Sequence, residues 1–364
     1  MNSYWETELY SKKYDLIIIG AGLVGQSTAL FYKQNHPSAN VLILDRGFYP
    51  LGASTRNAGF ACFGSVTEHI ADLELEDIPN VKQRIKQRYE GLKLLRETLG
   101  DEQIGYEERG GFEIFTDNYI YQNAVSRLGF FNEWLYEITG NNAVYSETGC
   151  NGYKAIKIEG EGSLHAGKMM NTLHQKNLSL GVEFRWETPV AELDPDDGRL
   201  TLANGVSIAG NRIVCATNAF TAKLLKNSLI QPGRGYVFVT KPIRDLAWKG
   251  TFHYDEGYYY FRNIGEDRLL LGGARNQDKP TENTDVFGIN EKIKKHLIRF
   301  SSNILKLPDG WEIEQEWSGI MGFTSTKSPV LEKAGEKCIV AAGLSGMGVA
   351  LGMQLAKEVI GQLA

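Results

Sequence analysis

The sequence holds little that would build a disulfide framework or a metal site. Its four cysteines, Cys62, Cys150, Cys215 and Cys338, are scattered without C-x-x-C spacing, and its six histidines form no H-E-x-x-H or similar pairing. Neither a disulfide scaffold nor a zinc site is suggested. Cys215 and Cys338 each sit inside an apolar run, where core packing is the expectation. No block of positive charge stands out: 39 basic side chains face 44 acidic ones, a net charge of −5, which argues against a nucleic acid as partner. No apolar run approaches the ~20 residues of a membrane-spanning helix. The opening "MNSYWETELYSKK" has no basic stretch followed by an apolar core, so a cytoplasmic protein without a transmembrane segment is expected. Repeats, low-complexity tracts and Pro- or Ser-rich linkers are missing too. Yet 364 residues exceed the ~150 typical of one domain, which predicts two domains without a simple linker between them.

What is present is concentrated at the two ends. "YDLIIIGAGLVGQSTALFYK" opens with the short apolar run Leu16 to Ile19, as a buried parallel strand requires, and passes directly into Gly20, Gly22 and Gly25 in G-x-G-x-x-G spacing. Gly20 permits the tight turn, Gly22 lets the backbone approach a pyrophosphate, and Gly25 lets the following helix pack against the strand. That helix presents its free N–H groups to the phosphates and winds on until Pro37 forbids it. A second strand, "NVLILDR", ends on Asp45, about 20 residues past the last glycine, where an acid accepts ribose hydroxyls. Strand, turn, helix and acid together predict a dinucleotide site.

Runs that look buried on both faces recur as "RIVCATN" and "CIVAAG", so one α/β domain, Rossmann-like, is expected from discontinuous segments. Asn204-Gly205 signals a hairpin. "VKQRIKQRYEGLKLLRETLG" reads as an amphipathic surface helix with its charge opposite its apolar stripe. "QPGRGYVFVT", "GYYYFRN" and "DRLLLGGAR" read as strands of an antiparallel sheet. The first domain is assigned to 1–86, 150–230 and 319–364, and the second, the antiparallel-sheet substrate domain, to 87–149 and 231–318; the whole is α+β. After Asp45 and Arg46, the loop "GASTRNAG" offers Gly52, Ala53, Ser54, Thr55, Asn57, Ala58 and Gly59 to a phosphate chain and a flat ring. Near the other end, "GLSGMGV" places Gly343, Leu344, Ser345, Gly346, Met347, Gly348 and Val349 at a second helix start, a second place for something electron-rich. A cofactor gripped at two helix starts points to FAD. An NAD-dependent dehydrogenase leaves both loops without a role; a flavin-holding protein without turnover is the other alternative.

The stretches "IIIGAGLVGQSTAL", "GASTRNAG", "IVCATNAF", "RGYVFVT", "EWSGIMGFTSTKSPVL" and "VAAGLSGMGVALG", in that order, resemble the FAD-dependent D-amino-acid oxidase superfamily, in its glycine oxidase, sarcosine oxidase and D-amino-acid dehydrogenase-like branch. The resemblance spans nearly the whole chain. It implies an FAD domain of discontinuous segments, a substrate domain whose antiparallel sheet covers the flavin, and an enzyme that oxidises the C–N bond of a small amino acid or amine to an imine by hydride transfer to flavin N5. Oxygen or another acceptor then reoxidises the flavin. Carried over by position, FAD would be held noncovalently by Gly20, Gly22, Leu23, Val24, Gly25, Asp45 and Arg46, by the loop Gly52 to Gly59, by Val190 at the adenine, by Ala216, Thr217 and Asn218 where "A-T-G" usually stands, and by the turn Gly343 to Val349. Asn218 replaces a glycine and tolerates a left-handed turn.

On the substrate side, strand alternation in "GYYYFR" puts Tyr258, Tyr260 and Arg262 on one face, an aromatic wall with a cation for a carboxylate. The sequence departs from its relatives here. The branch often carries an anchoring arginine in "G-x-R-P-x-T-x-D", but this chain has Gly319-Ile320-Met321-Gly322 with Lys327 where the acid stands, and Gly346 replaces a second arginine. Met321 also lies in the region of the flavin-linking cysteine of sarcosine oxidases, and no clear lysine stands at their oxygen-activating position. Arg262, Arg275 or Arg234 supplies the missing charge, or the substrate is an amine without a free carboxylate.

Overall fold

A computed structural model describes residues 3–10, 12–226 and 229–363. The chain divides into two compact units, Met1–Thr55 with Gly167–Pro232 and Met321–Ala364, and Arg56–Ala166 with Gly233–Ile320. The first unit is built on a parallel sheet. Tyr14–Ile19 lies at its centre, flanked by Val41–Leu44 and Glu183–Arg185 on one side and by Ser207–Cys215 and Cys338–Ala342 on the other, with Val330–Lys333 antiparallel at the edge. Nearly every residue of Tyr14–Ile19 and Val41–Leu44 is buried because both faces of the sheet are covered. Leu16, Ile18, Val41, Ile43 and Val214 pack on one face with Val24 and Ala29 of the helix Leu23–Asn35 and with Leu355 and Val359 of the helix Gly348–Leu363. Ile17, Ile19, Leu42, Leu44, Ile213 and Cys215 pack on the other with Leu200, Leu202 and Ile208. Each such Ile or Leu contributes roughly 1.5–3 kcal/mol by leaving water, and a strand covered on both sides has no use for polar alternation.

The hairpin expected at Asn204-Gly205 joins Arg199–Leu202 to Ser207–Cys215. Ser207–Cys215 then changes partners: its first residues pair antiparallel with Arg199–Thr201, and its last pair parallel with Tyr14–Ile19. Cys215 and Cys338 are core residues, as expected, and all four cysteines are free thiols.

The second unit carries a mixed sheet. Strand Gln231–Thr240 is followed across the sheet by Arg268–Gly273, Tyr259–Ile264, Thr251–Tyr254, Gly111–Phe115, Tyr153–Ile158 and Tyr145–Cys150. These pairs are antiparallel except for Thr251–Tyr254 with Gly111–Phe115. One face carries Tyr236, Phe238, Phe252, Tyr259 and Phe261 against Ile293, Leu297 and Phe300 of the helix Glu291–Asn303.

Two expectations are corrected. Residues 56–86 and 150–166, assigned to the first domain from sequence, belong to the second unit. The cause is long-range: strand Phe60–Ala61 pairs with Gly162–Ser163, and the buried Glu113 accepts from Ser65 Oγ and from the Val66 and Thr67 N–H groups at the start of the helix Val66–Leu75. The helix Ile78–Leu99 buries Val81, Ile85, Leu92, Leu95 and Leu99 at helical spacing, but Arg84 and Arg88 lie on that same buried stripe rather than opposite it. Arg84 is paired with Asp72 at 3.1 Å and Glu76 at 2.6 Å, and Arg88 with Glu68 at 2.9 Å. Charge on a helix stripe facing another helix is tolerated because its partners are buried beside it. Arg84→Ala leaves Asp72 and Glu76 buried without their cation, so the unfolding free energy of the second unit should fall by about 3–5 kcal/mol. Urea unfolding followed by intrinsic fluorescence checks this, and a loss below ~1 kcal/mol contradicts it.

Candidate functional site

The glycine turn forms because the backbone must pass over itself. Gly20 adopts φ +106°, and its N–H donates to Leu44 O at 2.8 Å. A Cβ on Gly25 would lie 2.0 Å from the Gly20 carbonyl oxygen, so only glycine lets the helix Leu23–Asn35 start this close to the strand. Gly22 is extended and offers no side-chain cap. The Leu23 N–H instead donates to Ser54 Oγ at 2.9 Å, which brings the expected loop to the helix start. That loop holds a short helix, Ala53–Arg56, that the small-residue composition did not announce. Asn57 Oδ1 accepts from the Gly59 N–H at 2.9 Å.

Asp45 follows the end of its strand, Val41–Leu44. Its Oδ2 accepts from the Ala21 N–H at 2.8 Å and its Oδ1 from the Gly47 N–H at 2.9 Å. The carboxylate is thereby aimed along the turn, and each oxygen keeps a further lone pair. The Arg46 guanidinium lies 3.7 Å from the Phe220 ring centroid, a cation–π contact. Val190 begins the antiparallel strand Val190–Asp194; Thr188, two residues earlier, donates its N–H to Asp45 O at 2.8 Å.

The other turns end at the same sheet edge. Ala216 N–H donates to Ile19 O at 2.9 Å, and Thr217 Oγ1 lies 3.0 Å from Thr221 Oγ1. Asn218 is left-handed at φ +49°, as expected where relatives carry glycine, and its Oδ1 accepts from the Gly343 N–H at 3.2 Å. That bond joins the ends of two adjacent strands, a link the sequence did not signal. Ser345 is also left-handed; its N–H donates to Gly322 O at 2.9 Å. Gly346 faces open space, and the helix Gly348–Leu363 begins just beyond it. Glycine turn, Asp45, Ala216 to Asn218 and Gly343 to Gly348 all lie at the carboxyl ends of parallel strands, where open α/β sheets take their ligands. These residues fit an FAD: bare backbone at Gly22 and Gly346, two helix starts, and an acid with acceptor capacity left.

In the second unit, the strand Tyr259–Ile264 alternates as expected from its second tyrosine onward. Tyr260 and Ile264 lie with Phe60 and Trp317 on a partly buried aromatic face, opposite Tyr259 and Phe261. Phe60 packs edge-on against Tyr260 at 5.6 Å between centroids. Burial pushes the Tyr260 phenol up to about 12. Phe60 and Trp317 escaped sequence reading because they come from distant segments.

Two substrate-side expectations change. Tyr258 stands outside the strand, 39% exposed, because its N–H closes a turn onto Asp255 O at 2.8 Å. Arg262 is a clamp rather than an open cation: Nε donates to Ala58 O at 2.7 Å, Nη2 to Leu164 O at 3.1 Å and Nη1 to Asn263 O at 3.3 Å. Burial pulls its pKa down to about 10, which leaves it charged at neutral pH. Gly59 makes the clamp possible, since a Cβ there would lie 2.1 Å from Leu164 O and 2.8 Å from Arg262 Nη2. Of the other arginines, Arg234 is held by Glu282 through Nη2 at 2.8 Å and Nε at 3.1 Å, and Arg275 by Asn283.

The first unit is therefore an α/β fold of the dinucleotide-binding kind, with two helix starts at one sheet edge. The family model described as DAO, FAD dependent oxidoreductase, matches residues 15–361, and the chain belongs to that family. It is an FAD-dependent oxidoreductase enzyme, which decides for flavin over nicotinamide. Solved structures share the fold: glycine oxidase from Geobacillus kaustophilus at TM-score 0.74 and 21% identity, covering 97% of this chain and 95% of that one; iminodiacetate oxidase from Chelativorans sp. BNC1 at 0.76 and 19%, covering 95% of each; and L-proline dehydrogenase from P. horikoshii at 0.74 and 15%, covering 97% and 94%. No curated protein sequence matches the chain. Among the described residues, no helix is long and apolar enough to cross a membrane.

Gly22→Val should abolish FAD retention, because a side chain there fills the space before Ser54 Oγ, only 3.0 Å from a Cβ. Flavin absorbance per chain after gel filtration measures it; undiminished flavin contradicts the assignment. Asp45→Ala removes a charged acceptor of the kind that contributes about 1.5–3 kcal/mol, so the FAD dissociation constant should rise about ten- to a hundredfold.

Proposed function

We propose that this enzyme oxidises the C–N bond of a small amino acid or amine to an imine, which water hydrolyses to a carbonyl compound and the released nitrogen. Oxygen or another acceptor takes the electrons. FAD is held noncovalently at the carboxyl edge of the parallel sheet, by the glycine turn, Asp45 and the turns at Asn218 and Gly343 to Val349. Bound FAD supplies the hydride acceptor at N5, so the substrate carbon gives up one hydrogen with its bonding pair and the nitrogen gives one proton to water. The named activities of the similar structures, oxidation of glycine, iminodiacetate and L-proline, support a C–N substrate.

The observation that carries the substrate reading is the aromatic face of Phe60, Tyr260 and Trp317 beside a clamped Ala58–Gly59 loop. Those rings offer an amine stacking and cation–π attraction. Arg262 presents the loop rather than the substrate, so it is a positioning residue. The Tyr260 phenol, raised by burial, stays protonated at neutral pH and is no general base.

Anaerobic bleaching of the flavin by a panel of small amino acids and amines tests the activity. At least one compound should reduce it, and a panel that leaves the flavin fully oxidised sinks the proposal. Tyr260→Ala should raise the half-saturating substrate concentration about tenfold or more with flavin content intact. Tyr260→Phe should leave the pH profile of kcat/KM unchanged between pH 6 and about 10; a lost limb would show Tyr260 to be the base. Arg262→Ala should lower flavin retention and thermal stability together, for amine and amino-acid substrates alike. A selective ~10 to 100-fold weakening of amino acids alone, with flavin intact, would instead make Arg262 the carboxylate anchor.

A further inference from the structure

One ring removed from Tyr260, the second unit buries a cluster that C–N oxidation does not use. Phe60 packs edge-on against the His253 imidazole at 5.6 Å as well as against Tyr260. His253 Nε2 lies 2.8 Å from Glu161 Oε2, and Glu161 Oε1 accepts from the Phe63 N–H at 3.3 Å. Cys62 completes the group. Glu161 is fully buried, His253 is 5% exposed and Cys62 is 7% exposed. Their ligand atoms, a thiol sulfur, a carboxylate oxygen and an imidazole nitrogen, all lie within 4.8 Å of one another.

We propose that Cys62, Glu161 and His253 form a binding site for one divalent transition-metal ion of the zinc class. Three arguments carry it. The donor set mixes a sulfur, a carboxylate and an imidazole, which suits zinc or cobalt and not the hard, oxygen-seeking magnesium or calcium; burial and the neighbouring acids push the Cys62 thiol up, so a bound metal displaces its proton. Three protein ligands is the number used by zinc sites that keep an exchangeable fourth position. The surroundings favour a cation: Glu161, Glu113 and Glu68 act on His253, and against them the charge reaching Cys62 from Arg88 is a single positive one.

The geometry is close to that required. Tetrahedral bonds of ordinary zinc length place sulfur and nitrogen about 3.6 Å apart, and nitrogen and oxygen about 3.4 Å apart. Closing on a metal therefore opens the 2.8 Å His253–Glu161 contact by about 0.6 Å and draws Cys62 inward by at most about 1.2 Å. The carboxylate is already fixed in place: a Cβ on Gly111 would lie 2.2 Å from Glu161 Oε2, so the sheet keeps bare backbone against it. The ion would tie the paired strands Phe60–Ala61 and Gly162–Ser163 to Thr251–Tyr254, three segments distant in sequence. No ligand spacing announces such a site, because each ligand comes from a different segment.

The FAD-loaded protein, stripped with a chelator and desalted, is exposed to zinc or magnesium chloride, passed again through gel filtration and analysed for metal. One zinc per chain and no magnesium is expected, with a melting temperature that rises with zinc concentration. Cys62→Ser and His253→Gln should each weaken zinc retention at least tenfold while flavin content stays as in the parent. Cobalt loaded in place of zinc should give a thiolate-to-metal charge-transfer band in the difference spectrum of the parent protein. Zinc not retained by the parent, zinc retained equally by both variants, equal retention of magnesium, or bound cobalt without a thiolate band each overturns the proposal. The cobalt spectrum of the parent decides the matter even if both variants fail to fold.

Discussion

The ligand edge of the first unit exists because four parallel strands end level with one another. Ile19 is paired with Leu44 on one side and Cys215 on the other, and Cys215 with Val340. Parallel strands in register send every following turn to the same edge, so the glycine turn, Asp45, Asn218 and the Gly343 turn converge although residues 20 and 348 stand at opposite ends of the chain. Short hydrogen bonds then lock the turns to each other: Asp45 to Ala21, Ser54 to Leu23, Asn218 to Gly343.

The second unit is organised by buried charge. Arg84, Arg88, Arg234 and Arg262 are all buried or nearly so; Arg84, Arg234 and Arg262 are held by carboxylates or carbonyls within the unit, and Arg88 gives Nη1 to Glu68 and Phe63 O. A guanidinium out of water is stable only when paired and hydrogen-bonded, so these arginines hold loops and helices in place. This explains why the strand Tyr259–Ile264 carries an arginine. Arg262 fastens the Ala58–Gly59 loop, and the neighbouring face is left to aromatic rings.

The sequence by itself determined the parts whose cause is local. Glycines at fixed spacing after a β-branched run, an acid after the next strand, Asn204-Gly205 between two short strands and a residue tolerant of left-handed backbone at 218 each carry their geometry within a few residues, and each is found where it was expected. Strand alternation likewise put Tyr260 and Arg262 on one face. Tertiary structure alone decided the rest. Tyr258 left the strand because a turn onto Asp255 claimed its N–H. Arg84 and Arg88 turned inward because Asp72, Glu76 and Glu68 wait there, and residues 56–86 joined the second unit through pairing with 162–163 and through Glu113. Cys62, Glu161 and His253 became neighbours only by the meeting of three strands. What a side chain's charge is for depends on the partner that reaches it, and that partner comes from distant chain; spacing along the sequence carries the backbone's needs but not the identity of who arrives across space.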